Sequence, residues 1–134
     1  MKLVLKNSSM EFNNYEAPKV TLVEGLYLNG SENKISPTSG IGIRYFQLVQ
    51  GKTYKVTFEK NVKSSTGYIR RGKTSVVPAR DVAVSNYTSS PALEASNNYK
   101  FAITLTADSD GYYVFDDYSL KGTSASVTIE VIED

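Results

Sequence analysis

From Ile41 to Lys60 the chain reads IGIRYFQLVQGKTYKVTFEK, and apolar and polar residues alternate along it with the period of two that a strand imposes. In the second half Tyr54, Val56 and Phe58 fall on one side and Lys55, Thr57 and Glu59 on the other, the pattern of a half-buried strand. The first half has Ile41, Ile43, Tyr45 and Val49 on one face and Phe46 and Leu48 on the other, so it is expected to be covered on both sides, inside a sandwich. Gln50-Gly51 supplies a permissive turn between the halves, and the two are expected to pair as a hairpin.

The same period recurs along the rest of the chain. Leu3 and Leu5 alternate with Lys2, Val4 and Lys6 in a first strand, followed by a polar turn at Asn7-Ser8-Ser9 and a short piece at Met10 to Phe12. Lys19 to Val23 reads as a strand, Glu24 to Asn29 as strand or loop, and Gly30 to Gly40, holding Pro37, as a polar loop. Asn61 to Thr66 is a polar turn region. Beyond it, Tyr68 to Arg70 and Thr74 to Val77 are short strands joined through Arg71-Gly72-Lys73, and Asp81 to Tyr87 is another. Tyr99, Phe101, Ile103 and Leu105 alternate with polar or small neighbours, the turn Asp108-Ser109-Asp110-Gly111 follows, and Tyr112 to Phe115 returns as a second hairpin. After a Lys121-Gly122-Thr123 turn, Val127, Ile129 and Val131 close the chain as a final strand. No window of helical period competes. The expectation is an all-β, antiparallel two-sheet β-sandwich of jelly-roll type, with Tyr54, Val56, Phe58, Phe101, Ile103, Leu105, Ile129 and Val131 in its core.

A chain of 134 residues is expected to form a single domain over residues 1–134. Fifteen Lys and Arg against 14 Asp and Glu leave neither the basic excess of a nucleic-acid binder nor an acidic tail, so no nucleic-acid partner is expected. The apolar run at the start is broken by Lys6 and Asn7. It is too short for a signal-peptide core or a membrane span, so neither an export signal nor a membrane contact is expected, and the chain is read as a complete gene product. Cysteine and histidine are both absent, which removes disulfides, thiol nucleophiles, Ser-His-Asp triads, imidazole bases and His-containing zinc sites.

What chemistry remains is carried by carboxylates, tyrosines and arginines. A glycosidase needs two acids across a cleft, and Asp116 and Asp117, adjacent on a strand, point to opposite faces. With no recognisable nucleophile or phosphate-binding loop, no enzyme is expected. Asp108 and Asp110 resemble a fragment of a calcium loop without its third ligand position or terminal Glu, and read more simply as a β-turn; Asp116 or Asp117 with loop carbonyls is the other place for a structural calcium. No other cofactor is expected. Arg70, Arg71, Lys73 and Arg80 form the one local concentration of positive charge, beside Tyr68 and Tyr87. They read either as a grip on an acidic partner or anionic glycan, or as a solvated edge strand kept from aggregating by its charges. Ten Tyr and no Trp allow a sugar-stacking face or a protein interface, although sugar platforms favour the larger indole.

Two segments, LVQGKTYKVTFEKNVKSSTGYI and YKFAITLTADSDGYYVFDDYSL, resemble galactose-binding-like jelly rolls and the related carbohydrate-binding modules, in which a Gly-x-x-Tyr strand leads the sheet and a Thr-Ala-Asp turn precedes a late Tyr-rich strand. The opening MKLVLKNSSMEF, on a short cysteine-free chain without an export signal, is similar to small accessory virion proteins of tailed bacteriophages, crAss-like phages among them. The resemblance implies a non-catalytic virion protein, made in the host cytoplasm, that decorates a capsid or associates with fibres. Its partners would be capsid or other virion proteins, or further copies of itself. The alternative it implies is a carbohydrate-binding module that holds glycans through exposed tyrosines.

Overall fold

The computed structural model describes residues 3–4, 11–12, 16–63, 66–120 and 125–133. Their strand-period segments form β1 (Leu3–Val4), β2 (Glu11–Phe12), β3 (Thr21–Asn29), β4 (Lys34–Leu48), β5 (Thr53–Lys60), β6 (Arg70–Thr74), β7 (Ser85–Ser89), β8 (Lys100–Thr106), β9 (Gly111–Asp116) and β10 (Ala125–Glu133). Helix among them is confined to 3₁₀ turns at Ala95–Asn97 and Tyr118–Leu120. The expected polar turns at Asn7-Ser8-Ser9 and Lys121-Gly122-Thr123 lie outside the described residues.

The strands assemble into a five-stranded sheet ordered β3-β4-β9-β6-β7, a three-stranded sheet ordered β10-β5-β8, and a small β1-β2 pair. Every ladder is antiparallel. The two larger sheets share one core, with Phe46 and Leu48 from β4, Tyr113 and Phe115 from β9, Tyr54, Val56 and Phe58 from β5, and Ile129 and Val131 from β10. Phe101, Ile103 and Leu105 of β8 pack against that core but are only partly buried, because β8 is an edge strand. The architecture is sandwich-like and all-β.

Both expected hairpins are corrected by this topology. β4 and β5 do not pair with each other; β4 lies between β3 and β9, and β5 between β10 and β8. Val49 to Lys52 is therefore an arch that carries the chain from one sheet to the other, with Gly51 at φ +91°. Residues 107–110 do the same between β8 and β9. The two arches bind each other: Gly51 N–H donates to the Ala107 carbonyl at 2.8 Å, Ala107 N–H to the Lys52 carbonyl at 2.9 Å, and Gln50 N–H to Asp110 Oδ1 at 2.8 Å. These bonds satisfy backbone groups that a hairpin would have paired within itself.

Two further expectations change. Lys34 to Gly40 is strand, not loop, because the turn of the β3–β4 hairpin is at Gly30 to Asn33, and Lys34 to Pro37 pair with Asn29 to Leu26. Pro37, which has no N–H to give, sits where that ladder breaks. Arg71-Gly72-Lys73 is not a joint between strands but the middle of β6, and Tyr68 and Ser75 to Val77 lie outside it. Residues 82–84 serve the tip of β4 instead, with Ile35 N–H donating to the Val82 carbonyl at 3.0 Å and Val84 N–H to the Asn33 carbonyl at 2.8 Å.

A second apolar cluster covers the other face of the five-stranded sheet: Leu26, Leu28, Ile35, Ile43, Val84 and Val114, flanked by Val23, Tyr45, Val82 and Tyr87. The β3–β4 ladder makes this possible by breaking its register. Glu24 faces Gly42 but Leu26 faces Pro37, which leaves Gly25 and residues 38–41 unpaired. Gly25 and Gly40 take φ of +81° and +84° there, a conformation other residues adopt at a cost. On β6, Gly72 leaves room for Val84, since a Cβ at that position would lie 2.3 Å from Val84 Cγ1. Gly72→Ala is expected to overpack this site and destabilise the protein by about 1–3 kcal/mol in chemical denaturation. An unchanged midpoint would mean that β7 shifts freely.

Candidate functional site

The break in the β3–β4 ladder opens a cleft at one corner of the five-stranded sheet. The chain leaves β9 there through Asp116, Asp117 and Tyr118, and those three residues part in three directions. Asp116 is wholly buried; Asp117 lines a cavity of about 700 Å³ with Glu24, Gly25, Gly42 and Arg44; Tyr118 lines a second, of about 480 Å³, with Ser39, Tyr68, Arg70 and Ser119. Gly40 and Ile41 stand in the walls of both.

Asp116 is the anchor of the second cavity. Its Oδ2 accepts the Leu28 N–H at 2.6 Å, and its Oδ1 accepts the Tyr118 N–H at 3.1 Å and Arg70 Nε at 3.4 Å. One carboxyl thus ties the folded-back end of the β3–β4 hairpin, the turn after β9 and the side chain of β6 together. Burial raises the Asp116 pKa above its ordinary value, against the opposing pull of the Leu28 N–H and Arg70. Arg70 is half-buried, which works against its charge, but Asp116 and Tyr87 outweigh that and hold its pKa above the ordinary value.

The aromatic wall is built on this anchor. The Arg70 guanidinium lies 4.4 Å from the ring centre of Tyr118 and 5.5 Å from that of Tyr27, and those rings stack at 4.9 Å with 24° between planes. Tyr68 is tied to the same turn, its N–H donating to Ser119 Oγ at 3.3 Å. Tyr68 and Tyr118 remain 39% and 44% exposed at the mouth. In the larger cavity the Arg44 guanidinium lies 5.1 Å from the Phe115 ring centre, with its pKa lowered by burial against the attraction of Asp117.

Of the residues singled out in the sequence, Tyr68 and Arg70 line the cleft, Asp116 lies beneath it, Asp117 lines the adjoining cavity and Tyr87 flanks Arg70 from the second apolar cluster. The positive cluster does not form one patch. Arg71 is next to Arg70 on a strand and so points to the opposite face, where it is buried, donates to Tyr113 Oη at 3.1 Å and lies 4.9 Å from the Phe101 ring centre. Lys73 pairs with Asp108 at 3.1 Å, and Arg80 is exposed near Asp81 at 4.0 Å. Asp110 holds the arch through Gln50, and Asp108 is held below the ordinary carboxylate range by Lys73. Among the described residues no three carboxyl, thiol or imidazole side chains are grouped to hold a metal ion. Nor is any helix among them long and apolar enough to cross a membrane.

Tyr118 and Tyr27 at the cleft, and Glu24 and Arg44 in the adjoining cavity, carry no sequence signal for these sites. They come from segments that only the ladder break and the turn after β9 bring together. No known protein family, curated protein or solved structure matches this chain.

Proposed function

We propose that this chain is a non-catalytic recognition domain, a β-sandwich of jelly-roll type that holds a glycan against the exposed rings of Tyr68 and Tyr118. The observation that carries the reading is the cleft at residues 39–41, where the two half-exposed tyrosines flank Arg70 and two serines. Sugars present apolar C–H faces and hydroxyl edges, and a site that offers ring faces beside fixed donors and acceptors meets both. The jelly-roll type is supported by the connections, since the chain crosses between the two large sheets from β4 to β5, β5 to β6, β7 to β8, β8 to β9 and β9 to β10. A non-catalytic role is supported by Asp116: the carboxyl with the raised pKa is sealed from solvent and committed to three donors, so it presents no proton to a substrate.

The same tyrosines and arginine support a second reading, the virion accessory role. Tyr and Arg are enriched in protein interfaces, and a capsid or fibre protein would then fill the cleft. A glycan array separates the two. Tyr68→Ala and Tyr118→Ala are each expected to weaken array binding about tenfold or more while the fold is kept, since neither residue belongs to the buried core. If the protein binds no glycan and instead co-purifies with phage particles at fixed stoichiometry, the order of the two readings is reversed.

A further inference from the structure

The strand register sorts the two cavities onto opposite faces of the five-stranded sheet. Arg44 pairs with Leu22 of β3 and Phe115 of β9, and Gly42 pairs with Glu24. Alternation puts Leu22, Glu24, Arg44 and Phe115 on the face that Phe46 and Leu48 turn to the core, and Asp117, two residues past Phe115, follows them. Asp116, Arg70 and Tyr118 belong to the other face, so Gly40 and Ile41 are a wall between two sites. The Glu24–Arg44–Asp117 cavity is thus independent of the tyrosine cleft.

We propose that this cavity binds a free basic α-amino acid, lysine or arginine, with its α-carboxylate on Arg44, its α-ammonium on Asp117 and its side-chain cation on Glu24. Arg44 carries the argument. Its guanidinium rests on the Phe115 ring, and its Nη2 is buried with no hydrogen-bond partner. A buried N–H without an acceptor is costly, and a carboxylate is the acceptor that the planar guanidinium fork fits best. Burial lowers the Arg44 pKa against the attraction of Asp117, so an anion brought to it would support a charge that its surroundings disfavour.

The carboxylates settle what else the ligand must carry. Asp117 is buried and lines the same cavity, and its charge reaches Arg44, yet among the described residues the two form no ion pair. A simple anion would be repelled by Asp117 and Glu24, and a simple cation by Arg44, whereas a zwitterion places each charge beside its opposite. The two charged groups of an amino acid stand on one carbon and can bridge Arg44 and Asp117 together. That leaves Glu24, whose side chain is exposed at the cavity, as the carboxylate still to be matched, and a basic side chain matches it. Leu22 and Ile41 in the walls supply apolar surface for the methylene stem. The cavity, of about 700 Å³, lies within the roughly 300–1,000 Å³ of ordinary small-molecule sites.

The test is calorimetric titration of the whole protein with lysine and with three compounds that each lack one of its charges: cadaverine without the carboxylate, ε-aminocaproate without the α-ammonium, and norleucine without the side-chain cation. Lysine is expected to bind saturably, and each of the three about tenfold or more weaker. Arg44→Met should then bind lysine no better than cadaverine, Asp117→Asn should bind it no better than ε-aminocaproate, and Glu24→Gln should lose the preference over norleucine, because each variant removes a contact that the truncated ligand already lacks. The ligand series on the unaltered protein decides even where Arg44→Met fails to fold. Equal binding of norleucine and lysine would overturn the basic class. Equal binding of cadaverine or ε-aminocaproate would overturn the pairing with Arg44 or Asp117. Absence of lysine and arginine binding would overturn the proposal, and glycan binding at the tyrosine cleft would stand or fall separately.

Discussion

Phe58→Ala is expected to destabilise the protein by about 3–5 kcal/mol, the range for emptying a fully buried aromatic site. Phe58 is fully buried and stands where the two large sheets meet. Its ring packs edge-on against Phe115 of the opposite sheet at 5.0 Å and stacks with its ladder partner Phe101 at 6.3 Å. Truncation therefore removes a contact across the sandwich and one within the three-stranded sheet. Neither neighbour can collapse into the space without leaving its own ladder. Phe101→Ala should cost distinctly less, because Phe101 is only partly buried and Arg71 already covers its other side. Urea denaturation of both variants, with unchanged slopes, measures the difference. Equal losses would mean that the edge strand carries as much of the core as the centre of the sheet.

The strands were legible because alternation records which residues meet the core, and Tyr54, Val56 and Phe58 do face it. Their partners were not. A strand-turn-strand sequence has the same alternation whether its halves lie side by side or face each other across a core, so Gln50-Gly51 reads as a hairpin turn in either case. Gly51 turns the corner of an arch because Ala107 and Asp110, far along the chain, bind that corner. The apolar residues on both faces of β4 were the better clue, since Ile43 on one side and Phe46 and Leu48 on the other enter two different clusters.

The site was less legible for the same reason. Parity along a strand separates Asp116 from Asp117, and it separates Arg70 from Arg71 just as surely once β6 is known to run through Gly72. What no parity argument supplies is the extra length in β4 opposite Gly25, which opens the cleft, or the turn after β9, which delivers Tyr118 to Tyr27 and Arg70. The cleft depends on a mismatch between two strands rather than on a motif in either.

Asp116→Ala is expected to cost about 3–5 kcal/mol, because it would leave the buried Leu28 N–H and the Arg70 guanidinium without the acceptor they share. The loss should be local in its consequences as well as large in size. Leu28 holds the second apolar cluster, and Tyr118 loses both its N–H acceptor and the arginine fixed beside its ring. Asp116→Asn removes the titrating proton at nearly constant size, although its single amide oxygen can accept from Leu28 on one side or from Tyr118 and Arg70 on the other, not both, a loss that does not vary with pH. Burial raises the folded-state pKa of Asp116 above its ordinary 3.8, so the folded protein binds this proton more tightly than the unfolded chain. Its contribution to stability is then fully present below that ordinary value and is lost as pH rises through the raised one. The wild type should therefore lose stability relative to Asp116→Asn as pH increases from about 4 towards neutrality, and the gap should stop changing once the carboxyl is ionised in both states. Lys73–Asp108 and the Glu59 pairs are exposed and present in both proteins, so they cancel in the comparison. Denaturation midpoints of the two proteins across that window decide the matter. If the wild type instead gains on the variant with rising pH, the Leu28 N–H, the Tyr118 N–H and Arg70 outweigh burial, and the anchor beneath the cleft is a carboxylate held below its ordinary range.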